Sequence, residues 1–183
     1  MIQHSVLENQ TPQPIISPTM LPLRVLVCGG REFGRIRPYE RLRYLSNIMR
    51  PLELEEFLKR KEQYHFVLST LEMVANEYHK VINEWEDAYG NWLPHWFIIS
   101  GGASGVDDIA IDWAVVNWCE FKEYPADWKK YKKAAGFRRN QQMLDEGRPD
   151  LVIAFPGGNG TAHMVKIAKD AGVPVREIIY LAE

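Results

Sequence analysis

The sequence predicts an α/β fold built on a mostly parallel sheet, with helices on both faces. Short apolar segments rich in Val, Ile and Leu alternate with longer segments whose apolar residues recur every three or four positions. Three of the short segments end in glycine-rich turns that lead into a helix-like pattern. Alternation of this kind is typical of parallel strands joined by right-handed helical connections.

The predicted elements follow one another along the chain. Residues 1–22 carry four prolines and no periodicity, so we expect a poorly ordered tail followed by a single domain over 23–183. The first strand lies within 23–34, and a helical insertion of about 38–92 follows it, to pack on the sheet or form a subunit interface. Further strands are predicted at 95–100, 120–126, 150–155 and 173–180, and helices within 101–118, 134–147 and 160–172.

Composition excludes several classes of function. The formal net charge is −2, whereas general nucleic-acid or membrane-surface binders carry a basic excess. The two cysteines and five histidines show no metal-ligand spacing, so neither a metal nor another cofactor is expected. No secretory signal is visible, and no apolar run approaches the ~18–20 residues of a membrane span. We therefore expect a soluble, cytoplasmic protein.

Three glycine loops are the strongest functional signal. They are "VLVCGGR" (25–31), "FIISGGASGVD" (97–107) and "VIAFPGGNGT" (152–161). The carboxyl ends of parallel strands share one edge of a sheet, which is where such sheets bind ligands. Glycine lets the backbone approach a ligand, and the following helix start favours an anion. The predicted occupant is a phosphate group, although none of the loops is the GxxxxGK[ST] loop or GxGxxG.

The segments "RVLVCGGREF", "GGASGVDDIAIDWA", "YPADWKKYKKAAGFRRNQQML" and "PDLVIAFPGGNGTAHMVKIAKDAGVPV" resemble the SLOG superfamily. This Rossmann-like group includes the LOG phosphoribohydrolases and the DNA-processing protein DprA, and the chain is most similar to its YspA/YpsA-related branch of bacteria and phages. The resemblance covers 24–34 and about 96–176. It implies a Rossmann-like fold, a nucleotide-derived ligand and assembly into homo-oligomers.

The resemblance and the loops together predict a set of ligand-binding residues. Arg139 falls where the phosphoribohydrolases place an arginine. The predicted ligand-binding residues are Gly29, Gly30, Arg31, Gly101, Gly102, Ser104, Gly105, Arg139, Pro156, Gly157, Gly158, Asn159, Gly160 and Thr161. In the hydrolases the last loop reads PGGxGTxxE, and the glutamate acts on the ribose and its N-glycosidic bond; here that position holds Met164. A thioether cannot take a proton, which favours binding without hydrolysis.

Three functions stay open at this point. The first is a sensor or sequestering module for a nucleoside monophosphate or an ADP-ribose-like molecule. The second is an N-glycosidic hydrolase with a relocated carboxylate, for which the catalytic candidates are Asp107, Asp108 and Asp127 together with Arg139. The third is DprA-like binding of single-stranded nucleic acid through "DWKKYKKAAGFRRN", which the acidic balance of the chain argues against. Trp128 in that run is a candidate for stacking on a base.

Overall fold

The computed structural model describes residues 22–86 and 96–181. Its centre is an all-parallel sheet of five strands in the order β3-β2-β1-β4-β5, which confirms the predicted fold class. The strands are β1 (Leu23–Cys28), β2 (Trp96–Ser100), β3 (Glu120–Glu123), β4 (Leu151–Ala154) and β5 (Val175–Glu177). The predicted tail falls almost wholly on residues 1–21, outside the described ranges, and the domain boundaries stay a prediction.

Helices cover both faces of the sheet, as predicted. They are α1 (Pro38–Leu45), α2 (Pro51–Glu86), α3 (Val106–Val116), α4 (Trp128–Tyr131), α5 (Ala135–Gly147) and α6 (Asn159–Asp170), with a 3-10 turn at Lys132–Ala134. Residues of α2 and α3 form one core with the sheet, and residues of α5 and α6 form the other. The side chains of β1 alternate between these two cores: Val25 and Val27 belong to the first, and Leu26 and Cys28 belong to the second.

The helical insertion consists of two helices rather than one continuous segment. Helix α1 ends before Ser46, Asn47 adopts φ +54°, and α2 begins at Pro51, a residue suited to the first turn of a helix. The middle of α2 buries an apolar stripe, Phe66, Val67, Leu71, Val74 and Ala75, in the first core. The insertion therefore packs on the sheet through α2, and its last predicted residues, 87–92, lie outside the described ranges.

The strand order creates a topological switch point at β1. The chain runs from β1 outward through β2 to β3, and then returns to place β4 on the other side of β1. At such a point the loops after two neighbouring strands diverge and leave a crevice at the carboxyl edge of the sheet. Here the crevice lies between the loop after Cys28 and the loop after Ala154.

No helix within 22–86 or 96–181 has the length and apolar character needed to cross a bilayer. In the same ranges, no three His, Cys, Asp or Glu side chains are grouped so that they could hold a metal ion.

Candidate functional site

A cavity of about 380 Å³ lies at the switch point. It brings together residues from all three glycine loops and from α5. The predicted site residues that line it are Gly29, Gly30, Arg31, Asp107, Arg139, Gly158, Gly160 and Thr161. The structure therefore has a cavity at the edge of the sheet that the sequence indicated, and it shows which residues of each loop line that cavity.

Other predicted residues belong to the same loops but do not line the cavity. These are Gly101, Gly102, Ser104, Gly105, Pro156, Gly157 and Asn159. Two catalytic candidates also lie away from it. The Asp127 side chain caps α4, since its Oδ1 accepts the Lys130 N–H at 2.9 Å. Asp108 is exposed in the first turn of α3, where burial and then Asp112 and Glu123 raise its carboxyl pKa.

Backbone contacts fasten the three loops to one another. The Gly30 N–H donates to the Pro156 carbonyl at 2.9 Å, so this donor is already used between the first and third loops. The Val106 N–H donates to the Gly30 carbonyl at 3.4 Å, which joins the first and second loops. A Cβ on Gly105 would lie 2.3 Å from that carbonyl oxygen, and Gly105 has φ +82°. Only glycine therefore allows this approach between the loops.

Gly158 and Gly160 differ from these packed glycines. Both line the cavity, and a Cβ on either would meet no atom of the described residues within 4 Å. Gly158 has φ −95°, a value open to any residue, so the backbone itself does not require glycine there. Both glycines therefore leave open space at the start of α6. The first N–H groups of a helix have no partner within it, and they favour an anion.

Asp107 and Arg139 form a buried ion pair that lines the cavity. Arg139 Nη1 lies 3.6 Å from Asp107 Oδ2, and the two side chains are 12% and 7% exposed. Nη1 also donates to the Gly101 carbonyl, and Asp107 Oδ2 accepts the Ala103 N–H at 3.2 Å. The Arg139 Nε is buried and has no hydrogen-bond partner among the residues described. Within residues 22–86 and 96–181, Arg139 therefore has one donor that no other group uses.

Burial and charge oppose each other at Asp107. Burial raises the pKa of its carboxyl to about 6, although Arg139 and the Ala103 N–H act in the opposite direction. Burial likewise lowers the pKa of the Arg139 guanidinium. The desolvation of a carboxylate exceeds the attraction of one cation at this distance. The pKa of the Asp107 carboxyl is therefore closer to neutral pH than the ordinary aspartate value of 3.8.

Cations and aromatic rings form the outer part of the cavity. The Arg31 guanidinium carbon lies 5.0 Å from the centre of the Trp128 ring. Trp128 and Phe137 also line the cavity and are 47% and 44% exposed, respectively. With Lys133, the lining holds three basic side chains and one carboxylate. The cavity is therefore cationic in a protein whose formal net charge is −2.

Sequence reasoning missed several residues of the lining. They are Cys28, Ala103, Lys133, Gly136, Phe137, Asn140 and Met143. Asn140 is buried, and its Nδ2 donates to the Gly160 carbonyl at 2.8 Å, which holds α5 against the start of α6. A signal for part of this set exists, since Gly136 and Met143 lie three and four residues from Arg139 and share its face of the helix.

Met164 is fully buried in the second core, in the cluster that contains Leu26, Cys28 and Ile99. It does not line the cavity. Its neighbour His163 lies outside the cavity lining too, with its ring 4.6 Å from that of Phe137. The position that holds a glutamate in the phosphoribohydrolases is therefore a packing position in this chain.

The all-parallel sheet and the cavity at its switch point define a Rossmann-like α/β protein. The model of the YAcAr family, the YspA, cpYpsA-related SLOG family, matches residues 23–131. This is more than half of the chain, so the protein belongs to that family, as the motifs indicated. SLOG membership suggests binding or processing of nucleotide-related molecules.

The chain is also similar to the Gene 61 protein of Mycobacterium phage D29. The two are 40% identical over 88 residues, a match that covers 43% of this chain and 67% of the phage protein. No solved structure gives a significant match.

Proposed function

We propose that the protein binds a nucleotide-derived phosphorylated ligand in the switch-point cavity, as a sensor or a sequestering module. One observation carries the proposal. The cavity combines open space over Gly158 and Gly160 at the start of α6 with three basic side chains and two half-exposed aromatic rings. The open space and the basic side chains suit a phosphate group, and the aromatic rings suit a base.

Hydrogen-bond donors of α5 and α6 support the binding of a phosphate group at the start of α6. The start of α6 offers backbone N–H groups, and Thr161 offers a hydroxyl in the same turn. The Nε of Arg139 is the buried donor that the described residues leave unpaired. Charge-assisted hydrogen bonds from arginine to phosphate are roughly twice as strong as neutral ones. Arg139 lines the cavity from α5, and Thr161 lines it from α6.

The other end of the ligand faces the rings. The Trp128 ring lies beside the Arg31 guanidinium. Phe137 follows Gly136, where an added Cβ would lie 3.5 Å from the Trp128 ring, an ordinary van der Waals contact. Aromatic faces of this kind stack on any base. A cavity of about 380 Å³ is at the small end of the ~300–1,000 Å³ range of small-molecule sites. This size favours a nucleoside monophosphate over a larger ADP-ribose-like molecule.

The first prediction concerns ligand binding. Nucleoside monophosphates, ADP-ribose, cyclic nucleotides and short single-stranded oligonucleotides are incubated with the protein, and the melting temperature and the chromatographed products are followed in the same tubes. A bound ligand at ~100 times its Kd adds about 2.7 kcal/mol to the free energy of unfolding, a shift of several degrees at this chain length. We expect such a shift with a monophosphate that is recovered intact.

The Gly158→Ala variant tests the site itself. Its Cβ enters open space, so the melting temperature without ligand stays within about 2 °C of the native value, while the ligand-induced shift is lost. Asn159→Ala, the adjacent exposed residue outside the lining, is the matched control and keeps the shift. A shift that survives in Gly158→Ala, or no shift with any compound, contradicts the proposal.

A second candidate function, N-glycosidic hydrolysis, rests on Asp107. Its carboxyl lines the cavity with a pKa of about 6, so a fraction is protonated near neutral pH. In this reaction water adds to the ribose C1′, the N-glycosidic bond breaks, and its electron pair leaves with the base. The protonated Asp107 would give its proton to the departing base nitrogen, as a general acid, and the proton that the attacking water loses would restore the carboxyl group.

The second prediction separates this function from binding alone. Hydrolysis requires release of free base from a monophosphate, a rate that falls as the pH rises through about 6, and at least a 100-fold loss in Asp107→Asn. Asp108→Asn, which changes the adjacent carboxylate outside the lining, is the matched control and keeps the rate. Recovery of intact ligand at high protein concentration excludes hydrolysis and leaves the binding function.

A further inference from the structure

Strand β3 is an open edge of the sheet. It pairs with β2 on one side, and no described strand covers its other side. All four of its residues, Glu120, Phe121, Lys122 and Glu123, are exposed. A free edge presents unpaired N–H and C=O groups to any other strand of suitable sequence.

The hydrogen bonds of β3 show which residues present these groups. The Tyr124 N–H donates to the Ser100 carbonyl of β2 at 2.9 Å. The backbone N–H and C=O groups of successive residues alternate in direction along a strand. Those of Lys122 therefore also point toward β2, while those of Phe121 and Glu123 point away from the sheet. A second strand can therefore form hydrogen bonds with β3 only in a register that matches Phe121 and Glu123.

Large apolar side chains flank this edge. Trp118, two residues before β3, is 90% exposed and has φ +56°, and Val116 at the end of α3 is 75% exposed. Phe121 itself is 40% exposed. Exposed aromatic and apolar groups beside an unpaired strand are the composition of an interaction surface.

We propose that β3 pairs with β3 of a second copy of this chain, antiparallel and about a two-fold axis at Phe121. In this register Phe121 faces the partner's Phe121 as a hydrogen-bonded pair. Glu120 then faces the partner's Lys122, and Lys122 faces the partner's Glu120, in the closely spaced non-hydrogen-bonded positions. The two sheets would join into one sheet of ten strands.

The charges select this register and this partner. A two-fold axis at Glu120, Lys122 or Glu123 would place a charge opposite its own copy, which is unfavourable. A register shifted by an odd number of residues would place a residue whose backbone groups point outward opposite one whose backbone groups point toward its own sheet, so the two could not form hydrogen bonds. The short segment Glu-Phe-Lys is complementary to itself only when two copies are related by a two-fold axis, so the occupant is a second copy of this chain.

The test is a charge exchange in the full chain. Sedimentation equilibrium measures the dimer dissociation constant of the native protein, Glu120→Lys, Lys122→Glu and the double variant. Each single variant places two like-charge pairs at the interface, and we expect at least tenfold weaker dimerisation. The double variant restores two opposite-charge pairs and returns the constant to within about threefold of the native value.

Lys129→Glu is the control, because it makes the same change of charge on an exposed side chain outside the edge strand. It leaves the dissociation constant unchanged. The three changed side chains, Glu120, Lys122 and Lys129, are exposed, so melting temperatures confirm that the variants fold. A native protein that stays monomeric at ~100 µM, a dimer that survives both single changes, or a double variant that stays monomeric overturns the proposal. Because β3 lies outside the cavity lining, this result is independent of ligand binding.

Discussion

Gly105→Ala is expected to lower the free energy of unfolding by roughly 3–5 kcal/mol. Two costs add. Gly105 has φ 82° and ψ −127°, a backbone conformation that residues with a Cβ rarely adopt. The new Cβ would also lie 2.3 Å from the Gly30 carbonyl oxygen and 2.6 Å from that of Arg31, so the first and second loops must separate.

Urea denaturation and thermal melting measure this loss, which corresponds to about 10 °C for a domain of this length. Gly172→Ala is the matched control. Gly172 also has positive φ, +73°, but its Cβ would meet none of the described atoms within 4 Å, so only the backbone cost of about 1–2 kcal/mol applies. Equal losses at the two positions would show that the close approach of the loops does not limit stability.

Arg139→Met is expected to destabilise the protein in a pH-dependent way. The side chain that remains is apolar, while the buried Asp107 carboxyl loses the cation 3.6 Å away. Breaking a buried ion pair by removing one partner costs roughly 3–5 kcal/mol when the remaining group is charged. At pH 5, where Asp107 is mostly protonated, the loss falls to about 1 kcal/mol for the hydrogen bond to the Gly101 carbonyl.

The sign follows from proton linkage. The pKa of Asp107 is raised to about 6 in the folded protein, above its ordinary value of 3.8. The folded state therefore binds the proton more tightly, and stability from this group falls as the pH rises between these two values. Removing the Arg139 cation raises the folded pKa further, so in Arg139→Met the fall continues above pH 6.

The free energy of unfolding at pH 5 and pH 8 measures this effect. Arg139→Met with Asp107→Asn removes the charge, so we expect the double variant to regain most of the loss at pH 8. Arg138→Met is the control, since the neighbouring Arg138 is exposed over the Tyr131 ring, and it stays within about 0.5 kcal/mol at both pH values. A loss of equal size at pH 5 and pH 8 would contradict the interpretation of Asp107 and Arg139 as a coupled pair.

Much of the fold follows from local sequence patterns. The alternation of Val25 and Val27 with Leu26 and Cys28 predicts a strand buried on both faces, and that is what β1 is. The three glycine loops lie at one edge of the sheet because parallel strands end there, and residues of all three line the cavity. The break between α1 and α2 was not predicted, although Pro51 marks the point where the second helix begins.

The sequence alone does not show which glycines of the loops pack against another loop and which face open space. Gly105 and Gly158 look alike in the sequence. A Cβ on Gly105 would clash with the Gly30 carbonyl oxygen of another loop, whereas a Cβ on Gly158 would enter open space. Asn140 is a similar case, because its role depends on the Gly160 carbonyl twenty residues later. Such assignments depend on contacts between distant segments, which no local pattern encodes. The same holds for Met164, whose burial follows from the packing of α6 on the sheet.

The position of β1 at the middle of the sheet has a consequence for synthesis of the protein. Strand β1 leaves the ribosome early, and β2 can pair with it once Trp96 to Ile99 have emerged. Its other neighbour, β4, begins only at Leu151, and α6 follows later still. The cavity is therefore completed only after β4 and the start of α6 have been synthesised, and until then one side of β1 is exposed to wrong partners. The proposed ligand would contact the loops that follow β1 and β4, so we expect it to bind only after this late step.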